Sequence, residues 1–243
     1  MLTGLFYPWG FVLQAVALVH FVRRRPDTYW LWIILIGGAI GALVYIVAEV
    51  LPDLNLLVGS LNRFTRRRRI RELEAIVVDN PAVGNQEELA DLYLEEGRFA
   101  KARELYDSVI ASARTDSLDP FYRRALAELA MDDFSAALAD LERVVADNPK
   151  YDFHRAIGLL AHAHSRAGDP DRADALFKSA TDISTLSETY YNYASFLATR
   201  QRTSEAREWA QRILAKKPTM PRYLRRRERP WFRKASALLK RLR

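Results

Sequence analysis

Residues 97–106 read GRFAKARELY. A polar turn leads into a helix in which Ala102 is followed four residues later by Tyr106. The arrangement recurs three times. Asp133-Phe134-Ser135-Ala136-Ala137 is followed by Leu141, Gly168-Asp169-Pro170-Asp171-Arg172-Ala173 by Phe177, and Thr203-Ser204-Glu205-Ala206 by Ala210. Ala102, Ala137, Ala173 and Ala206 are spaced 35, 36 and 33 residues apart. A period of that size marks an array of small units, none of which can bury its apolar face alone, so that neighbours must stack. Alanine at a helix crossing lets two helices close in, and the larger residue one turn on fills the adjacent space.

Upstream of these turns, Leu89-Ala90-Asp91-Leu92-Tyr93 and Tyr193-Ala194 supply the small and aromatic residues of a first helix, while Pro149 and Pro218 close second helices. The pattern resembles the tetratricopeptide repeat family, built from helix–turn–helix units of about 34 residues. Glu128 and His164 stand where a first-helix tyrosine is usual in that family. The resemblance places four repeats at about 83–116, 118–151, 154–187 and 187–220. Before them, Ile70, Leu73, Ile76 and Val77 form a stripe at helical spacing, and Asp79-Asn80-Pro81 repeats the ending seen at Asp147-Asn148-Pro149. One helix over 66–78 is expected, basic at one end and packed on the first repeat at the other.

In this family the first helices line a groove that commonly holds a peptide or another protein's helix. On this chain the resemblance maps the partner-binding groove to Glu87, Asp91, Glu95, Tyr122, Leu126, Arg155, His162, Arg166 and Tyr191. The first repeat offers acids and the third bases, which suits a bipolar or helical ligand. The family members that clamp a chaperone's carboxylate tail use Lys and Asn where Glu87 and Asp91 stand, so that ligand is disfavoured.

The tail, 222–243, reads RYLRRRERPWFRKASALLKRLR, with Trp231, Phe232, Ala235, Leu238, Leu239 and Leu242 at helical spacing. Pro230 suits the start of that helix. Such a basic amphipathic helix caps an array, lies on an anionic membrane or touches nucleic-acid phosphates. Capping and lipid contact are compatible, and nucleic acid is the least favoured of the three.

The N-terminal end is of another kind. Residues 29–51, YWLWIILIGGAIGALVYIVAEVL, carry a single charge, Glu49. A continuous helix of that length reaches roughly 34 Å, enough for a ~30 Å hydrocarbon core. Gly37, Gly38 and Gly41 form a small-residue face suited to helix packing in a membrane. Residues 5–22 make a second, weaker apolar run, and the two are expected to form a transmembrane helical hairpin joined by 23–28. The aromatic-ended run, the Arg-Arg-Arg turn, Trp32 and Gly41-Ala42-Leu43-Val44-Tyr45 resemble the two-helix module at the N-terminus of bacterial cardiolipin synthases of the phospholipase D superfamily, over about the first 55 residues. That module usually has Pro where Gly38 stands here. Its enzymes also need a His-x-Lys-x4-Asp motif, and none of His20, His154, His162 and His164 has Lys two residues on. The resemblance implies location, not phosphatidyl transfer.

Charge follows the same partition. Residues 1–71 hold nine Arg and three acids (+6), 72–215 sixteen Lys+Arg and twenty-six acids (−10), and 216–243 twelve Lys+Arg and one acid (+11). The basic ends favour anionic surfaces that the acidic middle repels. Arg66, Arg67, Arg68 and Arg69, with Arg225, Arg226 and Arg227, are the expected lipid-headgroup contacts. The six arginines of 63–71 against the three of 23–25 favour the larger cluster, and with it the repeats, on the cytoplasmic side.

No phosphate-binding glycine loop, triad or metal-spaced cluster is present, and with no cysteine there are no disulfides or thiolate sites. His162 and His164, two apart on a helix, point to different faces. The sequence therefore reads as an all-α protein without catalytic residues, metal or cofactor. Its parts are a membrane-anchoring hairpin at 1–55, a basic juxtamembrane helix and half repeat at 56–82, four repeats at 83–220 and a basic capping helix at 221–243. The expected function is a scaffold that recruits a protein or peptide partner to the bacterial inner membrane. The alternative is an accessory subunit of a membrane enzyme complex in lipid or envelope synthesis. No oligomeric state follows from the sequence.

Overall fold

The structure, a computed structural model, describes residues 3–24, 28–112 and 117–242, and within these the side chains of 10–22, 28–48, 65–112, 117–221 and 223–242. Every element among them is helical. The chain divides into two compact units, Met1–Arg69 and Ile70–Arg243.

The first unit holds α1 (Thr3–Arg24), α2 (Tyr29–Ile36), α3 (Gly38–Tyr45), a π-helical turn (Ile46–Val50) and the beginning of α4 (Leu51–Asp79). The single apolar helix expected over 29–51 is not formed. It breaks at Gly37, and Gly38 adopts φ +57, a left-handed conformation that glycine enters without steric cost. The bend brings Gly41 onto the preceding helix, where a Cβ would lie 1.9 Å from the Ile33 carbonyl oxygen. Gly37 and Gly41 thus serve a close approach within this one segment, whereas a Cβ on Gly38 would meet nothing within 4 Å. Among the described residues no helix is long and apolar enough to cross a membrane. The expected transmembrane hairpin therefore has no counterpart here, and the 25–27 part of its turn lies outside the described residues.

Ala17, Trp30, Ile34, Ala42 and Tyr45 form the core of this unit. Two polar residues of α1, Gln14 and His20, find partners. Gln14 donates to the Ile34 carbonyl at 2.9 Å and the His20 ring lies 2.8 Å from the Tyr45 hydroxyl. Its outer surface remains apolar, with Phe11, Trp32, Ile36 and Ile40 exposed.

The second unit begins within α4. Ile70 and Leu73 pack with Leu89, Ala90, Tyr93 and Tyr106, and the Tyr93 hydroxyl donates to Glu74 Oε1 at 2.6 Å. Four helix pairs follow: α5 (Val83–Glu95) with α6 (Phe99–Ser112), α7 (Asp119–Ala130) with α8 (Phe134–Asp147), α9 (Tyr151–Ala167) with α10 (Pro170–Ile183), and α11 (Ser187–Thr199) with α12 (Thr203–Ala215). Each pair is closed by two fully buried alanines twelve residues apart: Ala90 with Ala102, Ala125 with Ala137, Ala161 with Ala173, and Ala194 with Ala206. The residue four beyond the second alanine, Tyr106, Leu141, Phe177 or Ala210, is fully buried, as is Val109, Val144, Ala180 or Ile213 three further on.

The turn inside each pair is also one structure repeated. Gly97, Asp132, Gly168 and Gln201 all lie at left-handed φ, between 60 and 93. The amide of the next residue reaches back to the carbonyl of Tyr93, Glu128, His164 or Leu197 at 2.8–3.0 Å, satisfying an orphan carbonyl at the helix end. The Asp133 and Asp169 side chains then accept from Ala136 N–H and Arg172 N–H, capping α8 and α10. After α12 come α13 (Arg222–Arg227) and α14 (Arg229–Arg241). Phe232, Ala235 and Leu238 of α14 pack against Tyr190, Ala194, Ala210 and Ile213, covering the apolar face of the last pair.

Candidate partner-binding groove

The first helices of the four pairs are tied to one another by a row of charged and phenolic side chains. Asp91 of α5 accepts from the Tyr106 hydroxyl at 2.5 Å and lies 3.3 Å from Arg123 of α7. Arg123 also pairs with Asp119 at 2.5 Å, and Asp119 accepts from Tyr151 of α9 at 2.8 Å. The Tyr122 hydroxyl donates to Asp152 at 2.5 Å. Arg155 of α9 donates to Tyr122 at 3.3 Å, to Asp152 at 3.4 Å and to Glu188 of α11 at 2.6 Å. Asp119, Tyr122, Arg123, Leu126, Tyr151, Asp152 and Arg155 line a cleft of about 380 Å³.

The electrostatics of this row change from one end to the other. Burial lifts the Asp91 carboxyl above its usual value, opposed by the Tyr106 hydrogen bond and by Arg123. Burial also lifts Glu87, with Asp91 and Asp119 adding repulsion. This end carries more negative charge than its arginine offsets and attracts a cation. In the middle, Arg155 remains protonated despite its burial because Glu188 compensates it.

Of the sequence-predicted groove residues, Asp91, Tyr122, Leu126 and Arg155 meet along this row or its cleft, and Glu87 joins them electrostatically. Glu95 is exposed on α5. His162 and Arg166 gather instead around Phe134, the ring of His162 edge-on at 5.9 Å and the Arg166 guanidinium over it at 4.6 Å. Burial, then Arg166, holds the His162 imidazole below its ordinary pKa. Tyr191 packs toward α14, 5.8 Å from Trp231. The sequence reading missed Asp119, Arg123, Tyr151, Asp152 and Glu188. One signal pointed to two of the group: Asp119 and Glu188 stand at repeat spacing on either side of Arg155, with alternating charge.

Of the expected lipid contacts, Arg67, Arg68, Arg69, Arg225, Arg226 and Arg227 are exposed and Arg66 is half-buried. No group of three or more metal-ligating side chains occurs among the described residues.

Comparison with known proteins agrees with this architecture. Two family models described as tetratricopeptide repeat match the chain, one over 87–120 and the other over 122–183 and 159–221. Among solved structures, MamA residues 41 to the end from Desulfovibrio magneticus RS-1 superposes with a TM-score of 0.58 at 18% identity, covering 68% of this chain and 93% of that one. A thermophilic TPR protein of Thermus thermophilus gives 0.53 at 22% identity, covering 77% and 96%. YrrB, described as a TPR protein with an unusual peptide-binding site, gives 0.52 at 18%, covering 66% and 81%. Identities this low establish the fold alone. No curated protein matches the chain. The resemblance of the first 55 residues to the cardiolipin-synthase module finds no support in these comparisons. The repeated alanine pairs, the left-handed turns and the matching family models together make this chain a member of the tetratricopeptide repeat family.

Proposed function

We propose that this protein is a non-catalytic scaffold whose first-helix groove binds a protein segment and holds it at the bacterial inner membrane, with the repeats on the cytoplasmic side. The observation that carries the binding reading is the cleft between α7 and α9, with its graded charge and its phenolic walls. A segment with a basic residue toward Glu87, Asp91 and Asp119 and an apolar residue against Leu126 fits it. Tyrosines supply contact area at low entropic cost, which suits recognition.

The membrane part rests on the first unit. Ile36 is 81% and Ile40 75% exposed, beside exposed Phe11 and Trp32. Several large apolar side chains exposed on one small unit call for an apolar partner rather than water, and the short α2 and α3 suit shallow insertion better than crossing. An accessory subunit of a membrane enzyme complex is the second reading, in which the same apolar surface packs against membrane protein.

Site-specific photocrosslinking tests both parts. A photoreactive residue at Leu126 is expected to capture a discrete partner, and one at exposed Lys178 on α10 is not. Equal capture at both positions would refute the groove. A single Cys at Ser112, in a chain that has none, reads the side of the membrane. Protection from impermeant maleimide until lysis supports the cytoplasmic placement, and labelling in intact cells with a permeabilised outer membrane overturns it.

A further inference from the structure

The C-terminal helices build a second concave site that the groove does not use. Lys217, Arg225 of α13, and Arg229, Arg233 and Lys240 of α14 converge on a cleft of about 450 Å³ with Phe232 at its base. On α14 these cations fall at i, i+4 and i+11, on one face and about 16 Å from first to last. Among the described residues none of the five pairs with a carboxylate. The groove arginines are compensated, Arg123 by Asp91 and Asp119 and Arg155 by Glu188. Glu228, the only acid in 216–243, makes no ion pair with the cluster: its Oε2 is buried without a hydrogen-bond partner and its charge acts on Lys216.

Five like charges around one hollow repel one another unless an anion enters. Guanidinium groups offer forked donors matched to phosphate oxygens. Phe232, Ala237 and the aliphatic stems of the long cations add apolar wall. A charged rim over an apolar wall suits an amphiphile whose phosphate meets the arginines while its first methylenes lie along that wall.

We propose that this cleft binds the headgroup of an anionic phospholipid. It rests on the membrane-associated reading for its setting. Its geometry also redraws the expected lipid contact, since only Arg225 of the Arg225-Arg226-Arg227 run lines the cleft and α14 supplies most of the rest.

The test uses the full chain in a neutral maltoside detergent, titrated with dihexanoyl phosphatidylglycerol, dihexanoyl phosphatidylcholine, inorganic phosphate or hexaglutamate. Saturable binding of the phosphatidylglycerol, with at least tenfold weaker binding of the other three, is expected. Arg229→Gln with Arg233→Gln should weaken it tenfold or more at unchanged helix content and melting temperature. Lys217→Gln with Arg225→Gln, which leaves α14 intact, should weaken it in the same direction. Binding of the choline lipid as tight as the glycerol lipid, or no change in either double variant, overturns the site. Inorganic phosphate binding as tightly makes it a free-phosphate site, and tighter hexaglutamate binding makes it an acidic-protein site. Either result rejects the lipid. Because binding is read in detergent solution, failure here leaves the membrane placement standing, and a failed topology experiment leaves this result standing.

Discussion

Arg155 and Glu188 join successive first helices of the array: the guanidinium Nε meets Glu188 Oε2 at 2.6 Å while its Nη1 reaches back to the Tyr122 hydroxyl at 3.3 Å. One side chain thereby links α7, α9 and α11. Glu188→Gln removes the charged half of the forward link but leaves Tyr122 and Asp152 in place. It should lower stability by about 1.5–3 kcal/mol, the range for a hydrogen bond to a charged group, as read from denaturant midpoints. A cost near zero would mean the pair is solvated and does not couple the repeats.

Glu128 is 4% exposed at the position that Tyr93 and Leu197 fill in the first and fourth repeats. Its Oε2 has no hydrogen-bond partner. Burial, then Asp140, raises its pKa to about 7, against Arg124 and Arg103, with Asp133 adding to the rise. The folded carboxyl therefore holds its proton more tightly than the unfolded one. Its contribution is fully present below about 4.5 and is lost as pH rises through about 7. Glu128→Gln should match the parent near pH 4 and exceed it by about 1–3 kcal/mol at pH 8. A difference between the two proteins that does not vary with pH would reject the shift.

Gly158 of α9 marks a close approach to α11, since a Cβ there would stand 2.6 Å from Thr189 Oγ1 and 3.0 Å from its Cγ2. Thr189 is itself buried and has no room to retreat. Gly158→Ala should cost about 1–3 kcal/mol, as overpacking does in a closed core. Thr189→Ser, which removes the Cγ2 methyl and leaves the hydroxyl free to rotate away, should recover part of the loss in the double variant. Thermal denaturation of the four proteins of that cycle gives the coupling.

Gln201 holds the left-handed turn position that glycine holds in the first and third repeats. Gln201→Gly should raise stability by up to about 1 kcal/mol, because relief of the left-handed penalty exceeds the added entropy of the unfolded chain. At Gly168 a new Cβ would meet nothing within 4 Å. Gly168→Ala should therefore cost about 1 kcal/mol through backbone conformation alone. Opposite signs in melting temperature for the two variants are the expected result.

The repeats were legible because their information is local. Ala102, Ala137, Ala173 and Ala206 recur at near-constant spacing, and a helical period writes the buried face directly into the chain. The companion alanines Ala125 and Ala161, twelve residues earlier in their pairs, were equally readable by the same spacing. The groove was legible only in part. A helical position says which face a residue occupies, but not which charge thirty residues away has already claimed it, as Glu188 claims Arg155.

The sequence by itself determined the all-α array, its period and the segregation of charge, since propensity and periodicity act within a few turns of helix. Tertiary structure decided the rest. It turned an apolar run of spanning length into two short helices, because Gly37, Gly38 and Gly41 permit a backbone contact that no hydropathy count describes. It buried Glu128 where a tyrosine would serve. It also drew Lys217, Arg225, Arg229, Arg233 and Lys240 around one hollow, because the packing of α14 on α11 and α12 fixes where its outer face points.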